Sequence, residues 1–165
     1  MARGELERTV QQSLLERLTD DEPQERSDLP PSWAESVRRL KASVHRDLEW
    51  LLNTRRTTDE IPEGLGEVQH SVYCYGLPDL SSMSRESAQT RGRLLRSVED
   101  AIATFEPRLA NVRVRLAEEV DDPRRRLHFV IEAMLRMDPN PEPIVFDTTL
   151  DIASGAYHVE GAASA

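Results

Sequence analysis

The segment Glu106-Pro107-Arg108 contains the residues whose types and spacing most directly suggest a specific chemical role. Its proline fixes the backbone between a carboxylate and a guanidinium. In one interpretation this is a local turn in which Glu106 and Arg108 pair with each other or with nearby backbone. In the other it is a rigid docking corner, where Arg108 offers its planar, two-pronged guanidinium to a partner's carboxylate or carbonyl groups. A catalytic role is less consistent, because a carboxylate beside an arginine stays ionised and a general acid needs a proton to donate.

Other patterns that carry chemistry are weak in this sequence. The four histidines show neither HxH nor HxxxH spacing, so they indicate no metal site. Glycine loops for phosphate (GxGxxG, GxxxxGKS/T) and the GxSxG nucleophile motif do not occur, and Cys74 has no recognisable nucleophile context. Acid pairs are frequent, but 30 carboxylates in 165 residues make chance pairs unavoidable. We therefore expect no catalytic residue, no metal, no cofactor and no small-molecule substrate.

Composition narrows the class of protein further. The 165 residues fit one domain with a short arm, and 21 basic against 30 acidic residues give a net charge of −9. An acidic chain argues against a nucleic-acid or anionic-membrane binder, since both depend on basic contacts to phosphate. Cys74 is the only cysteine, so no internal disulfide can form. With neither a secretory pattern nor an apolar run of about 20 residues, we expect a cytoplasmic protein.

The first 31 residues are expected to form an arm. Val10–Thr19 has the apolar spacing of a short amphipathic helix, and Asp20–Pro31 is an acidic, proline-containing linker. Such a helix either folds back on the domain or docks on a partner, and composition favours the partner. The apolar stripe of this helix consists of Val10, Leu14, Leu15 and Leu18. Residues 32–161 would then be the main domain and residues 162–165 a tail.

Two long helices are predicted in the main domain. Ser32–Asn53 begins with a capping box formed by Ser32 and Glu35. Its apolar stripe is Val37, Leu40, Val44, Leu48, Leu51 and Leu52. The second helix, Ser84–Phe105, is capped by Ser84 and ends near Glu106, because Pro107 excludes the α region from the preceding residue. Its apolar face is Leu95, Val98, Ala101, Ile102 and Phe105.

The stretch between these helices is less regular. Thr54–Gln69 is polar and contains Pro62, Gly64 and Gly66, so a loop is expected. Val72 to Tyr75 fits a short strand or one helical turn, and the pattern does not distinguish them.

From Asn111 onward the hydrophobic period changes from 3.6 to 2, which is typical of strands with one buried face. The alternating runs are Asn111–Leu116, Leu127–Met137, Ile144–Ile152 and Tyr157–Glu160, and Gly161–Ala165 is expected to fray. Short connections favour neighbouring antiparallel strands. We therefore predict an α+β fold, in which two long helices pack on an antiparallel β-meander.

Several segments, taken in order, are similar to one known family. They are Ser13–Leu18 with the linker after it, Ser43–Arg56, Ser71–Leu80, Phe105–Leu109 and the strand pair around Leu127–Asp151. The most specific motifs are Leu-Asn-Thr-Arg-Arg, Tyr-Gly-Leu-Pro-Asp and Glu-Pro-Arg. With these, the chain resembles the TssE family of type VI secretion baseplate subunits, related to the phage T4 baseplate wedge protein of the gpW "lysozyme-like" group.

The resemblance implies a structural role in a contractile baseplate. The Glu-Pro-Arg motif of that family contacts the helical bundle of TssF and TssG, which implies docking through Glu106, Pro107 and Arg108 here. TssK is a further implied baseplate partner. The sheet of the family accepts arms of the TssB and TssC sheath subunits by strand addition, and so initiates the sheath.

These implications extend the set of candidate interaction residues. An exposed edge strand is a template for another chain, and the candidate edges are Val112–Leu116, with Val112 and Val114, and Tyr157–Glu160, with Tyr157 and Val159. The sequence does not choose between them. Leu14, Leu15 and Leu18 would anchor the arm on the wedge.

Two alternative functions accompany this hypothesis. The "lysozyme-like" label suggests a cell-wall glycosidase, although the most prominent acid, Glu106, lies beside an arginine. A regulatory binder is the other alternative, because a stress anti-adaptor that binds a response regulator uses the same fold. Neither would depend on contacts with baseplate subunits.

Overall fold

The computed structural model describes residues 10, 13–19, 31–57, 61–62, 64–78, 88–117 and 126–164. Apart from Pro31, the predicted acidic linker lies outside the described residues, as does the predicted Ser84 cap. The elements in chain order are α1 (Leu14–Leu18), α2 (Trp33–Asn53), two short 3₁₀ helices (Gly66–His70 and Val72–Cys74), α3 (Ala88–Phe105), β1 (Leu109–Leu116), β2 (Arg126–Leu135), β3 (Glu142–Asp151) and β4 (Tyr157–Ser164). The chain divides into two compact units, residues 1–44 and residues 45–165.

In the first unit, α1 is shorter than its apolar spacing predicts. Ser13 caps the helix: its Oγ accepts from the Glu16 N–H at 3.3 Å, and its own N–H donates to Glu16 Oε2 at 3.1 Å. This reciprocal capping box begins the helix at Leu14. The predicted start at Val10 is therefore wrong, since Val10 lies outside the helix.

The beginning of α2 follows its sequence prediction. Ser32 Oγ accepts from the Glu35 N–H at 3.3 Å, which is the serine half of the predicted capping box. Glu35 also receives a hydrogen bond from Arg39, one turn later, at 2.7 Å. The apolar spacing of this part of α2 matches its burial, since Leu40 and Val44 are both buried.

The second unit contains the predicted β-meander. Its four strands lie in the order β1-β2-β3-β4, and each neighbouring pair is antiparallel. One face of the sheet is buried, and its members alternate with a period of two along β2, β3 and β4, whereas a shift in the pairing of β1 interrupts the alternation there. They are Leu109, Val114, Phe129, Ile131, Ala133, Leu135, Ile144, Phe146, Thr148, Leu150, Tyr157 and Val159. The predicted α+β class is confirmed.

Helical residues complete the core of this unit. The end of α2 contributes Leu48, Leu51 and Leu52, all buried. From α3 the buried side chains are Leu94, Val98, Ala101 and Ile102. The predicted apolar face of α3 was therefore rotated slightly: Leu94 is buried, whereas Leu95, which was predicted on that face, is only half-buried.

The last strand extends beyond its predicted end. β4 continues to Ser164, so the frayed tail predicted from Gly161 is wrong for residues 161–164. Pairing explains the extension, because Ala163 and Ser164 lie opposite Val145 and Ile144 of β3. Sequence alone could not show this pairing partner.

The segment after α2 adopts 3₁₀ helices and a glycine-dependent turn. Val72–Tyr75, left open between strand and helix, contains a 3₁₀ helix at Val72–Cys74. A second 3₁₀ helix at Gly66–His70 shows that the loop predicted for Thr54–Gln69 is partly helical. Gly76 follows with φ of +106°, and a Cβ there would lie 2.3 Å from the Thr54 carbonyl oxygen. Only glycine allows this approach, which lets the Leu77 N–H donate to that oxygen at 2.8 Å.

Candidate protein-interaction sites

The segment Glu106-Pro107-Arg108 forms the turn from α3 into β1. The Glu106 N–H donates to the Ile102 carbonyl at 2.9 Å and completes the last turn of the helix. The Leu109 N–H then donates to the Glu106 carbonyl at 3.1 Å, which closes the turn. Pro107 has no N–H to satisfy and occupies the exposed position of this turn. The chain thus turns here for local reasons that the sequence encodes.

Glu106 and Arg108 pair with each other inside this corner. Arg108 Nε donates to Glu106 Oε1 at 2.6 Å, and Arg108 Nη2 donates to Glu106 Oε2, so the contact is bidentate. The Arg108 backbone N–H also donates to Glu106 Oε1 at 3.2 Å. The Glu106 side chain is only 6% exposed and that of Arg108 is 23% exposed. The pairing that one interpretation of the sequence anticipated is therefore present.

Asp47 of α2 adds a second carboxylate to the corner. Its Oδ2 accepts from Arg108 Nη2 at 2.6 Å, although the two residues are far apart in sequence. Asp47 Oδ1 accepts from Arg46 at 3.1 Å. Arg108 therefore connects the end of α3 to α2. Sequence reasoning missed Asp47, because nothing in its local pattern marks a partner so distant in the chain.

The electrostatics of the corner follow from this pairing. Burial by itself would lower the pKa of the Arg108 guanidinium, but its hydrogen bonds and charge interactions, first with Glu106 and then with Asp47, hold it above its ordinary value. Beside them, the pKa of Tyr75 is raised by burial first and by the charges of Asp47 and Glu106 next. The Tyr75 ring packs edge-on against Phe105, with ring centroids 5.4 Å apart. The corner is thus a cluster in which the Arg108 guanidinium is held between the side chains of Glu106 and Asp47.

The other predicted contact residues of the main domain lie on the two outer strands. Val112 and Val114 are in β1, and Tyr157 and Val159 are in β4. The side chains of Val114, Tyr157 and Val159 are buried on the inner face of the sheet, and Val112 is half-buried. What these residues can offer a partner is therefore their outward-facing backbone groups.

On β4, side chains of α2 occupy those outward backbone groups. Asn53 Nδ2 donates to the Tyr157 carbonyl at 2.9 Å, and Asn53 Oδ1 accepts from the Tyr157 N–H at 2.9 Å. The Val159 carbonyl lies 2.7 Å from Nε2 of His45, which is the ring nitrogen that donates to it. Sequence reasoning had no role for Asn53 or His45, because side-chain spacing gives no sign of an edge contact.

The outer edge of β1 is held differently. Glu99 Oε1 of α3 accepts from the Val114 N–H at 2.8 Å. Nearer the corner, the pairing with β2 shifts by one between Ala110 and Arg113, and Asn111 has φ of +54°. This is a β-bulge with its first residue in the left-handed region, where asparagine is one of the better tolerated residues.

The three predicted leucines of the arm are exposed. Leu14, Leu15 and Leu18 show 70%, 50% and 76% of their surface to solvent. All lie in the five-residue helix α1, which contains no buried residue. A helix of five residues is not stable by itself, because the hydrogen bonds of so few residues do not offset the cost of nucleation. Its exposed leucine face is therefore suited to packing on another surface.

Further exposed apolar side chains were not singled out from the sequence. Val72 is 91% exposed and Tyr73 is 45% exposed, both in the second 3₁₀ helix. Trp50 of α2 is 53% exposed and lies under the guanidinium of Arg46, 5.2 Å from the ring centroid. The sequence could have indicated these residues, because they are bulky apolar or aromatic side chains that lie outside the predicted apolar stripes of the helices.

Metal sites and membrane-spanning helices are both recognisable from the arrangement of the described residues. Among those residues, no group of three or more His, Cys, Asp or Glu side chains is placed to hold a metal ion. In the same residues, every helix is too short or too polar to cross a membrane.

Comparison with known families gives one finding. The family model described as baseplate wedge protein gp25 matches residues 38–140 of the chain, which is more than half of its length. The match runs from α2 through the corner to the end of β2 and the turn beyond it. No curated protein matches the chain.

Proposed function

The chain belongs to the baseplate wedge protein gp25 family, and from this membership we propose that it is a structural baseplate subunit of a type VI secretion system. The family is one of structural proteins, and membership implies contact with other baseplate subunits. The observation that carries the proposal is the family match over residues 38–140, which includes the entire corner Glu106-Pro107-Arg108.

The first part of the proposed role is attachment to the wedge. TssF, TssG and TssK are the proposed baseplate partners, reached through the corner and through the leucines of α1. The internal pairing of Glu106 and Arg108 supports a rigid contact surface, because a preorganised site loses less side-chain entropy on binding. The exposure of Leu14, Leu15 and Leu18 supports an apolar contact, since each leucine carries surface that a partner can remove from water.

The second part is initiation of the sheath. The four-stranded sheet is open, with β1 and β4 as its outer strands, and an extended arm of TssB or TssC would pair with one of them. Sheath growth would then begin only where a completed baseplate presents this edge. The same joint would carry the movement of contraction between the sheath and the wedge.

Catalysis has no place in this role. Both oxygens of the Glu106 carboxylate accept hydrogen bonds from Arg108, so this acid is committed as an acceptor within the corner. We propose that the protein acts without enzymatic activity, on the cytoplasmic side of the inner membrane where the baseplate docks.

Co-expression followed by a pull-down tests the proposal. The full chain with an affinity tag is produced together with TssF, TssG and TssB, and the recovered subunits are identified. We expect TssF and TssG in the recovered complex, and we expect the triple variant L14S/L15S/L18S to recover less of them. A control variant in exposed polar residues of α2, R38S/R39S, is expected to behave as the unchanged chain. If TssF and TssG are absent although the protein is folded, the proposed function is wrong.

A further inference from the structure

The two outer strands differ in how many of their outward backbone groups are already bonded. In β4, the N–H and carbonyl of Tyr157 and the carbonyl of Val159 all have partners in the side chains of Asn53 and His45. An added strand at this position would have to break these three hydrogen bonds before forming its own. The β4 edge is therefore closed along Tyr157–Val159.

The register of β1 identifies its outward groups. The Ala117 N–H donates to the His128 carbonyl, so Arg113 and Arg115, at even spacing from Ala117, point their backbone groups toward β2. The backbone groups of Val114 and Leu116 consequently point away from β2, whereas Val112 lies in the bulge, where strict alternation does not hold. Among the described residues, the side chain that hydrogen-bonds to these outward groups is that of Glu99, whose carboxylate accepts from the Val114 N–H. The other outward groups of this edge have no side-chain partner within the described part of the chain, which favours β1 for pairing.

The open face of the sheet has opposite charge at its two edges. Arg115 of β1 lies opposite Val130, which lies opposite Asp147, which lies opposite Glu160 of β4. Arg113 occupies the neighbouring row of β1 and is exposed. Arg115 is 69% exposed and makes a loose contact of 3.5 Å with Glu132, which leaves its charge accessible to solvent. A strand beside β1 would meet two arginines, and one beside β4 would meet Glu160.

We propose that β1 is the edge that accepts the added strand, that α2 closes β4 against it, and that the incoming strand carries carboxylates opposite Arg113 and Arg115. This inference rests on the proposed function and names the edge and the partner chemistry. Opposite charges directly across two strands stabilise their pairing, and like charges destabilise it. The bonded backbone of β4 therefore selects the β1 edge, and the arginines of β1 then set the charge expected of the strand that it accepts.

Site-specific photo-crosslinking tests the choice of edge. A photoreactive phenylalanine derivative replaces Arg115 in one variant and Glu160 in another, two exposed positions on the same face of the sheet. Each full-length variant is combined with TssB–TssC and irradiated, and recovery with TssF and TssG is measured in parallel. We expect a crosslink to a sheath subunit from position 115 and none from position 160.

Every other result contradicts the proposal in a distinguishable way. A crosslink from position 160, alone or together with 115, means that α2 does not close β4, while strand addition itself stands. No crosslink from either position, with normal recovery of TssF and TssG, means that strand addition is wrong and wedge attachment stands. Loss of TssF and TssG as well would count against the proposed function.

Charge reversal tests the chemistry of the incoming strand. The variant R113E/R115E is expected to bind TssB–TssC about 2- to 30-fold more weakly, because two favourable cross-strand charge pairs are replaced by repulsive ones. The control R136E reverses an exposed arginine outside the strands and should leave binding unchanged within about 2-fold. Equal binding by R113E/R115E and R136E, with unaltered melting temperatures, would overturn the acidic-strand assignment.

Discussion

The corner at the end of α3 and the short helix α1 are both proposed contact surfaces, but they satisfy their own chemistry in opposite ways. At the corner, the charged groups are turned inward: Glu106 and Arg108 bond to each other, and Asp47 bonds to Arg108. In α1, the apolar side chains are turned outward, and Leu14 and Leu18 are more than two-thirds exposed. The corner stabilises the fold through its internal hydrogen bonds, whereas α1 exposes apolar surface that a partner can cover.

This difference separates two effects that mutations usually mix. Residues of the corner are expected to affect folding first and binding second, because removing a group there leaves a partly buried charge without its partner. Residues of α1 are expected to affect binding with no loss of stability, since exposed side chains make few contacts to lose. Mutations in the two regions test whether stability and binding separate in this way.

The largest expected effect is at Glu106. E106A removes both carboxylate oxygens from Arg108, and the free energy of unfolding should fall by about 3 kcal/mol. Urea denaturation monitored by circular dichroism measures this. The exposed E160A is the control and should change it by less than about 0.5 kcal/mol. A decrease below about 1 kcal/mol for E106A would mean that the corner does not stabilise the fold.

The next largest effect concerns Asn53, which ties α2 to β4. N53A removes the donor and the acceptor that bond the Tyr157 backbone, and we expect a loss of about 2 kcal/mol in unfolding free energy. N53D keeps the acceptor for the Tyr157 N–H but places a carboxylate oxygen against the Tyr157 and Glu49 carbonyls, so it should lose at least as much as N53A. The two variants are compared by the same urea titration. Equal stability of N53A and the unchanged chain would contradict the closed β4 edge.

The Tyr157 phenol provides a pH-dependent effect of intermediate size. Burial raises its pKa above the usual value, with a smaller opposing contribution from Arg55, and among the described residues its buried hydroxyl has no hydrogen-bond partner. The folded state therefore keeps the proton while the unfolded chain loses it above about pH 10. Stability should be fully present below that pH and should fall as the pH rises further.

Thermal unfolding measured from pH 8 to pH 11 checks this behaviour. Y157F cannot ionise, so its melting temperature should decrease less at alkaline pH than that of the unchanged chain. At pH 8, Y157F should be as stable as the unchanged chain or slightly more stable, because it removes a buried hydroxyl that lacks a partner. An identical alkaline decrease in both proteins would show that another group titrates.

The smallest effect on stability is expected in α1. The free energy of unfolding of the variant L14S/L15S/L18S, measured by urea denaturation, should equal that of the unchanged chain within about 0.5 kcal/mol for each substitution. Its recovery of TssF and TssG should nevertheless fall. A clear loss of stability would instead mean that these leucines pack on the chain itself, which is the alternative that the sequence left open.

The parts of the fold that local pattern determines were predictable from the sequence. The capping Ser32 and the stripe with Leu40 and Leu48 placed α2, and Pro107 placed the end of α3. The change to a period of two identified the strands, because alternation is imposed by the geometry of a single strand. These features depend on residues close together in the chain.

The parts that the sequence did not reveal depend on distant partners. Asp47 bonds to Arg108, 61 residues away in the chain, and Asn53 bonds to Tyr157, 104 residues away. The bulge at Asn111 is set by pairing with β2, and the extension of β4 to Ser164 is set by pairing with β3. The residue types therefore identified the corner as a candidate site, but they did not show whether its charged side chains bond to each other or face a partner.

Sheath nucleation tests the central claim, that this protein joins the wedge to the sheath, most directly. Purified TssF–TssG wedges are mixed with TssB–TssC in the presence or absence of the full chain, and sheaths are counted by negative-stain electron microscopy. Our account predicts sheaths attached to wedges only when the protein is present, and few when R113E/R115E replaces it. Equal numbers of wedge-attached sheaths with and without the protein would contradict the account.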